Sequence, residues 1–221
     1  MALIGTGKPG EFQIPELGKT INLTEWEEAD IYDTVAIAAQ VSLQGGTISF
    51  YTAPTGKNKA DTNLRTSSKL PARHEVIVFK VGVYVCPIWG TALPQLSDVA
   101  AFYHEGALQV RKNTKAEVTY SHLLRFPSGY GLVAYGLDPG ATHNYAPVTL
   151  GIASPAAIPP LLVPWSLQAD DDFDADIVFE ASGAGTAYNG VAAPGWTSSD
   201  TTDVLATKLI LHGFIKSPAT K

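Results

Sequence analysis

The run Glu75–Pro87, EVIVFKVGVYVCP, alternates in a way only a strand explains. Ile77, Phe79, Val81, Val83 and Val85 occupy every second position, with Val76, Val78, Lys80, Gly82, Tyr84 and Cys86 between them. Successive side chains of a strand point to opposite faces, so the first five residues fall on one face. All five are β-branched or aromatic, the types that pack best on a buried pleated surface. A helix would scatter them around its circumference. Leu205–Ile215 is built alike: Leu205, Leu209, Leu211 and Ile215 share one face, and Lys208, Ile210, His212 and Phe214 the other. The spacing predicts two long strands that are neighbours in one core.

Outward from Glu75 the pattern weakens toward the N-terminus. Residues 1–20 are rich in Gly and Pro without sustained periodicity, and read as an extended arm, ordered where it lies on a neighbour. Ile21–Trp26 reads as a first short strand, and the acidic group Glu25, Glu27, Glu28, Asp30 and Asp33 as a solvated turn. Asp33–Ala39 and Thr47–Thr52 read as strands joined through Gly45-Gly46, a dipeptide suited to positive φ. Thr55–Leu70 is a long polar loop with one isolated leucine. A loop of that length in a compact domain usually has a task, and contact with another subunit is the expected one.

Toward the C-terminus, Ser97 is placed to cap a short helix from Asp98 to about His104, stopped by Gly106. Ala107–Lys112 and Ala116–Ser121 form an expected hairpin over Asn113-Thr114, with Leu123–Phe126 extending its second strand. Leu132–Tyr135, Val148–Ile152, Leu161–Leu167 and Asp176–Ala181 are further short strands, and Gly183–Asp203 is a loop. About ten short strands, one helix and no βαβ alternation predict an all-β fold. The fold expected is a single elaborated jelly-roll β-sandwich over residues 21–221, preceded by the arm, residues 1–20.

The composition limits the function. Of the 221 residues, 45% are apolar and 16% charged, against about 25% charged in typical domains. A charge-poor surface suits a protein covered by copies of itself. A net charge of −6 argues against a partner held by phosphate neutralisation, and no sequence-specific nucleic-acid binding is expected. The one cysteine, Cys86, sits in the central strand pattern and reads as a small hydrophobe. The start lacks the features of a signal peptide, and no apolar run reaches about 18 residues; the chain reads as soluble and made inside a cell.

No motif requires catalysis, and neither an enzymatic role nor a cofactor is expected. The histidines His74, His104, His122, His143 and His212 form no H-x-H or HExxH pattern. Asp172, Asp174 and Asp176 match the first half of a calcium loop, whose ligands recur at alternate positions. Ile177 then replaces the required glycine and Gly183 the bidentate glutamate, so an exposed turn before a strand is the preferred reading. No GxSxG, Walker A or GxGxxG sequence occurs. Trp26, Trp89, Trp165 and Trp196, with Tyr130, Tyr135, Tyr145 and Tyr188, would serve as a sugar-stacking platform, or as core and interface. The residues expected at subunit interfaces are Phe12, Ile14, Trp26, Lys57, Asp61, Asn63, Arg65, Trp89 and Trp196.

Several segments together carry a resemblance. They are ExxDIYDTVAIAA (27–39), SFYTAPTGKNKADTNL (49–64), KLPARHEVIVFKVGVYV (69–85), ALQVRKNTKAEVTY (107–120), PPLLVPWSL (159–167), DADIVFEA (174–181) and TKLILHGFIKS (207–217). In this order the chain resembles the jelly-roll capsid proteins of tailless icosahedral bacteriophages, particularly those related to internal-membrane viruses; ADTNLRTSSKLP (60–71) is the most distinctive piece. The resemblance implies a coat subunit of the virion, assembled in the host cytoplasm. Its partners would be copies of itself in hexamer- or trimer-like capsomers, other capsid proteins and, indirectly, an internal viral membrane. Residues 1–20 and 55–70 would interlock neighbouring subunits. The alternative is a carbohydrate- or receptor-binding β-sandwich of a phage spike or fibre, using Trp89, Trp196 or nearby tyrosines.

Overall fold

The computed structural model describes residues 4–38, 41–89, 96–127, 133–137, 145–149, 154–180 and 204–217. Eight strands build two antiparallel four-stranded sheets. In chain order they are β4 (Trp26–Ala38), β5 (Thr47–Phe50), β6 (Glu75–Trp89), β7 (Gly106–Lys112), β8 (Lys115–His122), β11 (Pro160–Gln168), β12 (Phe173–Phe179) and β13 (Val204–Lys216). One sheet runs β11-β6-β13-β4 and the other β5-β12-β7-β8. Numbered first to eighth, these are the orders 6-3-8-1 and 2-7-4-5, an antiparallel ribbon wrapped twice into a jelly roll. β4 lies against β5, so β11 and β8 share the opposite flank. No helix among the described residues is long and apolar enough to cross a membrane.

β6 and β13 are paired neighbours along their whole length, but the face assignment of β6 needs correction. His212 pairs with Lys80 and Gly213 with Val78, leaving Phe79 extra; β11 breaks register at the same place, from Pro160↔Lys80 to Trp165↔Val78. This bulge changes the parity of the strand, since a one-residue slip exchanges faces. Val81, Val83 and Val85 point into the main core together with Val76 and Val78. Ile77 and Phe79 point the other way, into a second cluster with Ile14, Ile21 and Trp26. Gly213 makes the bulge possible, because a Cβ there would lie 2.0 Å from the Ile77 carbonyl oxygen.

That second cluster overturns the extended-arm expectation. The N-terminal segment forms β1 (Ile4–Gly5), β2 (Glu11–Ile14) and β3 (Lys19–Asn22), an antiparallel meander with a 3-10 turn at Pro15–Leu17. It covers the outer face of the β4–β13–β6 sheet at one end. The Phe79 and Phe214 rings meet edge-on there, 5.4 Å apart, and Lys19 pairs with Glu75.

Other boundaries differ for local reasons. β4 begins at Trp26, so the expected acidic turn is strand. Ile31, Asp33, Val35 and Ile37 are in phase, and they turn inward while Glu27 and Glu28 stay outside. β4 and β5 are no hairpin: Gly45, at φ +71°, turns the chain across to the other sheet. The helix α1 (Leu96–Glu105) starts before Ser97, which therefore sits in its first turn. Asn113 and Thr114 both have positive φ, closing the β7–β8 hairpin as a primed turn. Leu123–Arg125 is a 3-10 turn where an extension of the second strand was expected. β9 (Val133–Leu137) pairs with β10 (Tyr145–Thr149). The loop expected at 183–203 lies outside the described residues.

Candidate functional site

The long polar loop has a structural task within the chain. β4 is an edge strand, and an edge exposes unpaired backbone groups. Asn63 closes it as a peptide group would: the Tyr32 N–H donates to its Oδ1 (3.1 Å), and its Nδ2 donates to the Asp30 carbonyl (2.6 Å). The Thr62 hydroxyl donates to the Tyr32 carbonyl at 3.0 Å. Thr34 Oγ1 donates to the Asp61 carbonyl at 2.8 Å, and Lys208 Nζ to that of Ala60 at 2.8 Å. Tyr32 Oη reaches the Lys59 carbonyl. Residues 57–63 are thus a strap over the edge, and the isolated Leu64 anchors it in the core.

Beneath the strap lies a buried ionic contact. The Asp33 carboxylate, 1% exposed, takes the Tyr51 backbone N–H on Oδ2 and Lys57 Nζ on Oδ1, both at 2.7 Å. Tyr51 is itself fully buried at φ +66° and donates its hydroxyl to the Leu209 carbonyl at 3.2 Å. Burial pushes the Tyr51 phenol well above its ordinary pKa, and the nearby charges of Asp33 and Asp30 add to that shift. Asp33 was not singled out alone by the sequence. Its signal is its phase with Ile31 and Ile37, which forces a carboxylate inward and so demands a cation.

The acidic run 170–176 carries the calcium half-motif Asp172, Asp174 and Asp176. β12 begins at Phe173, so Asp174 and Asp176 belong to a strand rather than a turn, both facing outward between buried Phe173, Ala175 and Ile177. Arg111, the register partner of Asp174 on β7, fills the space between them. Its Nε and Nη2 donate to Asp174 at 2.7 and 3.0 Å, and Nη2 also donates to Asp176 Oδ2 at 2.7 Å. Ser49 Oγ donates to Asp176 Oδ1 at 2.6 Å. The hydrogen bond with Asp174 outweighs the cost of burial, and with the charges of both aspartates it raises the guanidinium pKa. The calcium half-motif is in this structure an arginine-centred ladder, and among the described residues no three His, Cys, Asp or Glu side chains are placed to hold a metal.

The same end of the sandwich carries Asp171. Burial alone would raise its carboxyl, but the Gln168 N–H, Lys112 and Asn113 together hold it below its ordinary value. Asn113 donates to Asp171 Oδ1, and its own Oδ1 accepts the Asp172 N–H at 2.9 Å. Lys69 approaches Asp172 at 3.4 Å. Between these groups lies an open cleft of about 570 Å³, bordered by Ser68, Arg111, Asn113, Thr114 and Asp172.

His212 on β13 meets Asp30 on β4 at 2.8 Å, and His104 stacks edge-on against His122 at 5.8 Å. His143 lies outside the described residues. The expected interface residues divide in the same way. Ile14 and Trp26, the latter 7% exposed, are spent in the chain's own second core, and Phe12 is half-buried on β2. Lys57, Asp61 and Asn63 act in the strap, and Arg65 is exposed beside it. Trp89 ends β6, its side chain outside the described residues, as is Trp196 entirely. The sequence reading missed the β11 bulge, where Leu162 and Val163 stand exposed next to buried Leu161 and Trp165; the flanking Pro160 and Pro164 were its signal.

Compared with known proteins, the chain matches no family model, and no curated protein matches it.

Proposed function

We propose that this chain is a coat subunit that assembles with copies of itself into an icosahedral shell, the capsid of a tailless bacteriophage. The observation carrying the proposal is the pair of sheet orders, β11-β6-β13-β4 against β5-β12-β7-β8, complete in one compact roll. A fold hosts many functions, so the surface adds the second argument. It is charge-poor, and it exposes large apolar side chains at Leu124, Leu162 and Val163. Burying such surface between copies gains about 25 cal/mol per Å², less the cost of association, so weak single contacts still sum to a stable closed shell. In this reading the chain performs no catalysis. Its partners are its own copies and other capsid proteins, with any internal membrane met indirectly. The net charge of −6 keeps it from direct contact with the genome.

The test is light scattering with negative-stain imaging of the purified protein over a range of concentration and salt. Regular capsomers, sheets or shells are expected. A second reading, a carbohydrate- or receptor-binding module of a spike or fibre, is favoured by the polar cleft beside Arg111 and Asn113. A protein that stays monomeric at every concentration and binds glycans on an array would replace the coat reading with that one.

A further inference from the structure

Among the described residues, Asp33 is the one buried charged side chain, and its two oxygens have different partners. Oδ2 takes the Tyr51 backbone N–H and Oδ1 takes Lys57 Nζ, both at 2.7 Å. Tyr51 aims its N–H from a φ of +66°, a region that bulky residues rarely enter, while its carbonyl accepts the Ser68 N–H at 2.8 Å. Strain of this kind persists only where the surrounding structure imposes it, and it gathers at functional positions. Lys57 is fixed as well. It closes a turn from Pro54, donating its backbone N–H to the Pro54 carbonyl at 3.2 Å, with Gly56 at φ +86° in the position that requires it.

A buried ion pair is a costly arrangement, because each charge gives up its hydration. A neutral amide in the same place would carry neither charge. Reacting groups held in contact act at effective concentrations of about 10⁵–10⁸ M, which draws forward a condensation that free side chains in water do not complete.

We propose that Lys57 and Asp33 condense into an isopeptide bond. One proton passes from Nζ to Oδ1 along their hydrogen bond, and the freed lone pair on Nζ attacks Cγ. The electron pair displaced from the carbonyl collects on Oδ2, where the Tyr51 N–H stands as an oxyanion donor. The carbonyl then re-forms, the Cγ–Oδ1 bond breaks, and Oδ1 takes a second proton from the nitrogen and leaves as water. The third proton stays on the amide nitrogen, so the balance needs no other reagent. Lys57 lines the open cavity between β4, β5 and the strap together with Ser49 and Asp61, which gives the water a way out. The product would close residues 33–57 into a covalent ring and pin the start of the strap to β4, beside the edge that Asn63 seals. Such a ring also restricts the unfolded chain, as a disulfide does. The bond does not depend on the coat reading.

Intact mass spectrometry of the denatured full chain tests it. The wild type, with or without Met1, should weigh one water less than its sequence. Lys57→Arg keeps a cation but lacks the amine, and should have its full sequence mass. Chymotrypsin cuts after Phe50 and Tyr51, between the two partners, yet the peptides bearing Asp33 and Lys57 should remain joined, and tandem spectra locate the bridge. A wild type that melts as a folded protein and keeps its full sequence mass on prolonged incubation overturns the proposal. A water deficit that persists in Lys57→Arg, or that maps to another pair, overturns it too. The wild type alone decides the matter if the variant fails to fold.

Discussion

Tyr51 couples the core to pH. Its phenol is buried and its pKa raised above the ordinary value of 10.0, so the folded state holds its proton where the unfolded chain releases it. The stability this protects is complete below about pH 10 and falls as pH rises toward the folded-state value, by up to about 1.4 kcal/mol per pH unit. Tyr51→Phe is expected to cost about 1 kcal/mol at neutral pH, through the lost bond to the Leu209 carbonyl, and to flatten the alkaline fall. Denaturant titrations of both proteins from pH 8 to 11 measure the difference; parallel curves would refute the assignment. Asn63 acts at the strand edge instead. Asn63→Ala opens the Tyr32 N–H and the Asp30 carbonyl to water, at an expected cost of about 1–2 kcal/mol. Hydrogen exchange should quicken at the Tyr32 amide well before the amides of β13, and unchanged protection there would mean that the strap does not seal the edge.

The bulge at Phe79 shows how strands acquire more than one role. Up to Val78 the odd positions of β6 serve the second cluster, and from Val81 they serve the main core; Gly213 accepts the Ile77 carbonyl that the extra residue pushes forward. Gly213→Ala must move that backbone, and overpacking against main chain costs about 3 kcal/mol. A melting temperature within a degree of the wild type would show that the bulge yields easily. The strict alternation from Ile77 to Val85 concealed this device, because sequence parity carries no mark for an extra residue. A trace existed in the unbroken run Val76–Phe79, apolar in both parities, as a strand end buried on both faces requires. Where alternation and turn chemistry agreed, as in the Asn113-Thr114 hairpin and in β13, element and boundary were legible to within a residue or two. The acidic strand β4 was not, because charge on its outer positions looked like solvent while Asp33 was paired from a loop distant in sequence. Of the candidate surfaces, the residues of the strap were visible but their partner was not, since a polar loop reads the same whether it meets its own edge strand or a neighbour's.

For the whole roll, the N-terminal meander decides whether the fold is finished within a single chain. A chain that lent residues 1–20 to a neighbour would leave Ile77, Phe79 and Phe214 bare until assembly. Here Ile14 and Ile21 cover them within the same chain. Two isoleucines buried to this degree contribute about 3–6 kcal/mol, a large part of the 5–15 kcal/mol that stabilises a typical domain. Removing residues 1–22 should therefore lower the melting temperature of the dissociated monomer and raise binding of a hydrophobic dye, whether or not shells form. An arm that only interlocks neighbours predicts the reverse pattern, with an unchanged monomer melt and defective assembly. Thermal melts below the association threshold, paired with light scattering above it, separate the two. A truncated monomer that melts like the intact one would return these residues to an intersubunit role and leave the outer face of β6 and β13 as a surface that another copy must cover.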